Sequence, residues 1–256
     1  MARDHAGMHK NEIIFQMAVN FLSKIALRLE RLFLAIEQAC SAKNPIIHHY
    51  ALKNVIEIIK LVEKPELKSR FVKELMRIEH AVNKSQTQIS NARYARLFVQ
   101  VQVLSHIAGR FGDAIHQDPF LQSIRLAQTA HPSDCELHAP QLLYWLERST
   151  EERQANLVQW LEQLRILWDT VAIYLALLRD TAQFEPIELT KGFYQCSLPA
   201  RSTHHLILIR MLRDAQIVPK IQIGHHGLSI RLCDAYSMQE VRDSSISTID
   251  LAVCQL

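Results

Sequence analysis

Residues 157–178, LVQWLEQLRILWDTVAIYLALL, contain the most regular apolar pattern of the chain. The apolar residues recur in alternating steps of four and three: Leu157, Leu161, Leu164, Trp168, Val171, Leu175 and Leu178. This spacing predicts one long helix with a buried apolar stripe. A second stripe, Trp160, Leu167 and Tyr174, lies beside the first and favours a central helix of a bundle. The alternative is that the apolar stripe packs against a second copy of the chain in a dimer.

Helical periodicity also dominates the residues before this segment. Breaks at Asn44-Pro45 and at Pro65 separate the first three helices. The predicted helices cover about 20–41, 46–63, 65–82 and 89–116. Three prolines interrupt the stretch 118–140, which predicts a short helix and a loop there.

The apolar pattern changes from helical to alternating after Phe184-Glu185-Pro186. Strands are predicted within 204–212, 217–223, 228–232 and 249–253. The four residues Gly224 to Gly227 predict a turn between two strands, because glycine tolerates the positive φ of tight hairpins. Together these strands predict one small antiparallel sheet. The short apolar segment Ile13 to Met17 could add an edge strand to it.

Helices followed by strands define an α+β chain. We predict a tail and edge strand over residues 1–17, a helical-bundle domain over 18–183, and a small antiparallel β domain over 184–256. The first dozen residues are expected to form a mobile tail.

Composition excludes several classes of protein. The 256 residues include only six glycines and contain no G-x-G-x-x-G, P-loop or G-x-S-x-G motif, which argues against dinucleotide-binding folds, P-loop NTPases and α/β-hydrolases. Uncharged segments are much shorter than the roughly 20 residues that a membrane span needs. The N-terminus lacks the apolar core of a signal peptide, so the expected location is the cytoplasm.

Metal and catalytic sites have little support in the sequence. The best ligand cluster among the 13 histidines is His131, Asp134, Cys135 and His138, and its spacing matches no common zinc pattern. We therefore expect these four side chains to be solvated, and a zinc site formed by them is the alternative. The five cysteines are widely spaced and fit reduced thiols. We expect no cofactor, no catalytic residue and no enzymatic activity.

Charge is distributed unevenly along the chain. Residues 1–110 carry 17 Lys and Arg against 9 Asp and Glu, whereas residues 111–256 carry 12 against 17. A basic front half suits an anionic partner. Basic stripes occur at helical spacing: Lys53, Lys60 and Lys64, then Arg70, Lys73 and Arg77. Acidic neighbours interrupt these stripes and only 7% of residues are aromatic, so a nucleic-acid-binding adaptor is the second hypothesis.

Several short motifs occur in one order along most of the chain. They are Leu27-Arg28-Leu29-Glu30 with Asn20 upstream, Lys53-Asn54-Val55, Lys73-Glu74-Leu75, Tyr144-Trp145-Leu146, Gly192-Phe193-Tyr194-Gln195, Ser229-Ile230-Arg231-Leu232 and Asp250-Leu251-Ala252-Val253-Cys254. In this order the motifs resemble the ZapD family, proteins associated with the bacterial division ring.

The resemblance implies a two-domain α+β homodimer without enzymatic activity that acts at the mid-cell division site. It also implies a partner, the tubulin-like GTPase FtsZ, whose flexible C-terminal peptide is bound while its filaments are bundled. An acidic and apolar tail needs a groove with cations and an apolar floor. The expected groove residues are Lys24, Arg28, Lys60, Lys64 and Arg231. Arg231 lies in a matched strand motif and Lys64 at a position that is basic in the family, whereas Lys24 and Arg28 stand one turn apart on the first helix.

One departure from the family concerns the turn Gly224 to Gly227. This turn is shorter than the family's and lacks its arginine, offering His225 and His226 instead. If imidazoles replace a permanent cation, tail affinity should rise as the pH falls toward 6. Binding that does not change between pH 6 and 8 would contradict this hypothesis.

Overall fold

The computed structural model describes residues 11–85, 91–130, 135–198, 204–224, 227–241 and 246–255. Its helices are α1 (Phe21–Cys40), α2 (Pro45–Leu61), α3 (Glu66–Ser85), α4 (Asn91–His106), α5 (Asp113–His116), α6 (Pro119–Ala130), α7 (Cys135–His138), α8 (Pro140–Glu147), α9 (Thr150–Gln163) and α10 (Arg165–Asp180). Its strands are β1 (Glu12–Ala18), β2 (Glu185–Glu188), β3 (Phe193–Cys196), β4 (His204–Leu212), β5 (Ile217–Gly224), β6 (Gly227–Asp234) and β7 (Thr248–Gln255). The predicted α+β class is confirmed.

The chain divides into two compact units. The helical unit comprises Ile25–Leu175. The β unit comprises the residues up to Lys24 and those from Ala176 onward. Helices α1 and α10 each contribute to both units, because the division falls within them.

Two antiparallel sheets make up the β unit, so the prediction of one small sheet is wrong. One sheet has the strand order β1-β4-β7-β2 and the other has the order β3-β6-β5. Their alternating apolar residues share a core formed by Leu189, Ile207, Ile209, Met211, Leu228, Ile230, Leu232, Ile249 and Leu251. Sequence periodicity identified β1, β4, β5, β6 and β7 but missed the short strands β2 and β3. It did not identify the strand partners, since pairing depends on tertiary packing.

The predicted N-terminal edge strand is confirmed. Among the described strands, β1 is at the edge of the four-stranded sheet and pairs with β4, with Phe15 opposite Ile209 in an antiparallel register. This pairing places β1 beside a strand that lies nearly 200 residues later in the chain.

Asn20 joins the start of α1 to strand β4. Its Oδ1 accepts a hydrogen bond from the backbone N–H of Ser23 at 2.8 Å, the geometry of a helix N-cap. Its Nδ2 contacts Nδ1 of His205 at 3.0 Å, and the Ser23 hydroxyl donates to the His205 carbonyl at 2.7 Å. A single amide thus caps the helix and contacts a residue of β4.

Asn20→Ala is expected to lower the free energy of unfolding by about 1–2 kcal/mol, because it removes a cap and leaves a histidine nitrogen without its partner. Urea denaturation measures the change. Asn44→Ala is the matched control, since Asn44 caps α2 through the Ile46 N–H at 2.8 Å. An equal loss in both variants would show that Asn20 acts as a cap alone.

Helix α10 contributes a central part of the helical core, as the apolar stripe predicted. Leu167, Val171 and Tyr174 are fully buried. The Tyr174 ring packs edge-on against Phe71 of α3 with centroids 5.7 Å apart, and Trp168 contacts Phe33 of α1 at 4.8 Å. Aromatic pairs in this geometry add to the stability gained from burial.

The long helix predicted over 157–178 is divided at Leu164. Helix α9 ends at Gln163 and α10 begins at Arg165. The Leu164 N–H lies 3.1 Å from the Leu161 carbonyl, an i to i−3 contact that tightens the last turn of α9. The buried apolar stripe continues from α9 into α10 because Leu164, at the break, is itself buried.

The helix predicted over 89–116 is too long. Helix α4 ends at His106, and Gly109 and Gly112 follow with φ of +72° and +63°. These left-handed conformations end the helical backbone and suit glycine. A Cβ at Gly109 would lie 2.5 Å from Oδ2 of Asp113, so the position also lacks room for a side chain.

Candidate partner-binding site

The five predicted groove residues divide between the two units. Arg28, Lys60 and Lys64 belong to the helical unit, whereas Lys24 and Arg231 belong to the β unit. All are solvent-exposed except Arg231, which is half-buried. Each unit therefore presents its own basic surface.

Arg28 lies against α2 rather than free in solvent. Its guanidinium forms an ion pair with Glu57, which is one helical turn before Lys60. This contact places Arg28 and Lys60 on the same side of the α1–α2 pair. In the described part of the chain, no ion pair involves the ammonium groups of Lys60 or Lys64.

Two later arginines, Arg110 in the loop between α4 and α5 and Arg125 in α6, lie at the end of α2 through contacts with Glu63. Arg125 of α6 pairs with the Glu63 carboxylate at 3.2 Å. Arg110 contacts the Glu63 carbonyl oxygen at 3.4 Å. We name Lys60, Lys64, Arg110 and Arg125 the basic junction.

Sequence reasoning missed both arginines of the basic junction. They lie 47 and 62 residues after Glu63, and only the tertiary structure brings them to the end of α2. Arg110 also pairs with Asp113 at 3.0 Å. The basic junction thus contains four cations, of which Arg110 and Arg125 are paired with carboxylates.

A buried histidine lies beside the basic junction. His116 is 7% exposed, and its Nε2 has no hydrogen-bond partner among the described residues. Burial, with the charges of Arg110 and Arg125, holds the pKa of His116 below its ordinary value of 6.5, while Asp113 and Glu63 act in the opposite direction.

The lowered pKa of His116 predicts a pH-dependent stability. Between the native pKa and 6.5 the unfolded chain binds more protons at this residue, so stability falls as the pH drops through that window. Urea unfolding of the wild type at several pH values from about 7 to about 5 should show this loss. His116→Leu should reduce the slope, whereas the exposed control His106→Gln should retain it. Equal slopes in all three proteins would contradict the assignment.

Arg231 lies on the three-stranded sheet within a row of three residues. Lys220 of β5 and Phe193 of β3 are its direct cross-strand neighbours, so the three side chains share one face. The guanidinium lies 4.8 Å from the Phe193 ring centroid and 3.1 Å from a carboxylate oxygen of Glu240. We name Phe193, Lys220 and Arg231 the Arg231 surface.

Lys220 was not predicted, although the sequence contained a signal for it. Gly224 pairs with Gly227 across the turn, and counting back from this pair places Lys220 opposite Arg231. A cavity of about 590 Å³ adjoins the row and is lined in part by Gln195, Ser229 and Arg231. The surface thus combines two cations, an aromatic ring and a concave apolar and polar lining.

The remaining predicted residues fall partly outside the described ranges. His225 and His226 lie outside them, so their pH-sensitive role stays a prediction. His131 and Asp134 also lie outside, while Cys135 and His138 are the end residues of α7. Where residues are described, no three or more His, Cys, Asp or Glu side chains group as metal ligands.

The described helices include none that is long and apolar enough to span a membrane. Fold and surfaces together define an α+β protein with exposed basic surfaces suited to an acidic partner. Residues 27–231 match the family model described as "ZapD: Cell division protein".

Relatives with the printed name "Cell division protein ZapD" agree with this match. The protein from Azoarcus sp. (strain BH72) is 26% identical over 238 residues, covering 90% of this chain and 94% of the relative. The protein from Cupriavidus metallidurans is 29% identical over 228 residues, covering 86% and 89%. The chain belongs to the ZapD family, and this membership supports a role in cell division.

Proposed function

We propose that this protein binds the acidic C-terminal tail of FtsZ and, as a homodimer, cross-links FtsZ filaments at the mid-cell division site in the cytoplasm. The observation that carries the proposal is the position of the basic junction and Arg231 inside the family-matched segment 27–231. The protein acts by binding, without catalysis and without a cofactor.

The tail is held by charge and by apolar contact. The exposed ammonium groups of Lys60 and Lys64 on the helical unit attract tail carboxylates, together with Arg28. Lys24 and Arg231 offer further cations on the β unit. Arg231 stacks on Phe193, which keeps its planar guanidinium presented for a bidentate carboxylate contact. These exposed contacts are screened over about 8–10 Å at physiological salt, so binding weakens as salt rises.

Dimerisation converts weak tail binding into cross-linking. Two-fold symmetry gives each dimer two equivalent tail sites. A filament displays one tail on each subunit, so capture of a tail on one filament holds the second site close to tails on the next. The local concentration of tails then favours a bridge between filaments.

Co-sedimentation tests the tail contact. Polymerised FtsZ is pelleted with this protein, and the pellet is compared with that of FtsZ lacking its C-terminal tail. The expected result is co-pelleting with full-length FtsZ only. Equal co-pelleting with both forms would place the contact elsewhere.

Analytical ultracentrifugation tests the dimer separately. A sedimenting mass of twice 29.5 kDa at micromolar concentration is expected. A protomer mass at all concentrations, in a sample that still binds tails, would contradict cross-linking by a dimer.

Glu240→Gln is expected to raise the affinity for the tail about 1.4- to fivefold. A carboxylate oxygen of Glu240 lies 3.1 Å from the Arg231 guanidinium, so a tail carboxylate must compete with Glu240 for this contact. An exposed ion pair of this kind is worth about 0.2–1 kcal/mol, which corresponds to this range of affinity. Fluorescence anisotropy with a labelled tail peptide measures it. Glu162→Gln, which removes an exposed carboxylate paired with Arg165 outside both basic surfaces, is the charge-matched control, and an equal gain in both variants would indicate a general charge effect.

A further inference from the structure

A groove lies between the start of α3 and the end of α4, wholly within the helical unit. Its cavity volume is about 620 Å³. The residues that line it and carry the argument are Lys68, Arg70, Val72, Lys73, Leu104 and Ser105. We name it the α3–α4 groove. It shares no lining residue with the basic junction or with the Arg231 surface.

The α3–α4 groove is positively charged. Three cations line it, Lys68, Arg70 and Lys73, and the described lining includes one carboxylate, Glu66. Lys68 is held in place because its ammonium donates hydrogen bonds to the carbonyls of Ile107 and Gly109, just beyond the end of α4. A charge that is already ordered loses less side-chain entropy when an anion binds.

The floor of the α3–α4 groove is apolar. Leu104 is 1% exposed and Val72 is half-buried. The Ser105 hydroxyl donates to the Val101 carbonyl at 2.8 Å, which leaves its oxygen able to accept a hydrogen bond from a bound backbone.

This combination favours an acidic peptide over other anions. A free phosphate would leave the apolar floor uncovered, and single-stranded nucleic acid binds through stacking on aromatic rings. The described lining contains no aromatic residue. A short segment with carboxylates and an apolar side chain matches both the cations and the floor.

We propose that the α3–α4 groove is a second docking site for the acidic tail, so that each protomer holds two tails. This inference rests on the proposed function for the identity of its occupant. Two tail sites in one protomer raise the number of tails that a dimer holds from two to four. The additional bound tails slow dissociation from a filament, because the dimer leaves only when all of its tails are released at the same time.

Isothermal titration calorimetry with a synthetic FtsZ C-terminal peptide tests the inference. The wild type is expected to bind two peptides per protomer. Lys73→Glu should weaken the second event, and the double variant Arg70→Glu with Lys73→Glu should reduce the stoichiometry to one. Both residues are exposed on α3, so circular dichroism should show unchanged folding. Lys43→Glu is the matched single-charge control, on an exposed loop residue outside the groove, and it should retain two sites.

The outcomes separate failure of the inference from failure of the function. Absence of any binding heat in the wild type, with a peptide shown to be intact, would overturn the proposed function and the inference with it. One peptide per wild-type protomer would overturn the inference alone, even if the groove variants lower affinity, since a single tail would then span both regions. A stoichiometry of two that persists in the double variant would place the second site elsewhere.

Discussion

Replacing Arg153 by methionine is expected to lower the free energy of unfolding by about 3–5 kcal/mol, because it removes a buried charged donor from three acceptors at once. Arg153 is 4% exposed. Its guanidinium donates to the Leu146 carbonyl at 2.8 Å and to the Arg148 carbonyl. These carbonyls lie at the end of α8, where backbone oxygens lack partners within the helix.

His48 is the fourth element of this buried network. Arg153 Nε donates to Nδ1 of His48 at 3.0 Å, and arginine can only donate, so Nδ1 carries the lone pair. The opposite nitrogen, Nε2, then donates to the Ala42 carbonyl at 2.9 Å. His48 is fully buried, so loss of Arg153 leaves its Nδ1 without a partner and without water.

Guanidinium chloride unfolding followed by circular dichroism measures the effect of Arg153→Met. Arg165→Met is the matched control on the exposed part of α10, where the surface pairs with Glu162 and Asp169 predict a change within about 0.5 kcal/mol. A loss below about 1 kcal/mol for Arg153→Met would show that water or a rearranged side chain satisfies the carbonyls.

The double variant Lys60→Glu with Lys64→Glu is expected to weaken binding of the FtsZ tail peptide at least tenfold. Each reversal replaces an attraction for a tail carboxylate by a repulsion, and about 1.4 kcal/mol in total suffices for a tenfold change. Because these contacts are exposed, the difference between variant and wild type should shrink as salt rises from about 50 to 500 mM. Anisotropy titrations at both salt concentrations measure it.

Stability provides a check on the Lys60 and Lys64 variant. Both side chains are exposed and lie at the end of α2, where Lys60 interacts favourably with the helix dipole, so a small loss of less than about 1 kcal/mol is expected. Lys43→Glu should bind the peptide with wild-type affinity. If the wild type binds the peptide and the double variant binds it equally well, the basic junction is not part of the tail site. The Arg231 surface is then the remaining candidate.

Much of the fold followed from periodicity. The buried stripe of α10, the edge strand β1 and the hairpin at Gly224 to Gly227 each depend on residues close together in sequence, and the structure agrees with all three. The break at Leu164 and the early end of α4 were missed, because helix ends depend on local hydrogen bonds and on positive φ at single glycines.

The candidate site was predictable in its charge and only partly in its members. Lys60 and Lys64 were found from helical spacing and family resemblance. Arg110 and Arg125 could not be found in this way, since their contacts with Glu63 join residues far apart in the chain. The burial of Arg153 was not predictable either. This arginine follows two glutamates in the first turn of a helix, a position typical of exposed residues, yet it is buried.

The sequence by itself determined the α+β class, the strand at the N-terminus, the basic character of the front half and the family resemblance, because these are recorded in local patterns and in the order of motifs. Only the tertiary structure decided that the strands form two sheets, that two distant arginines complete the basic junction and that Arg153 is buried against His48. These features depend on contacts between residues far apart in the chain, and such contacts are selected by the packing of whole helices and sheets rather than by local sequence.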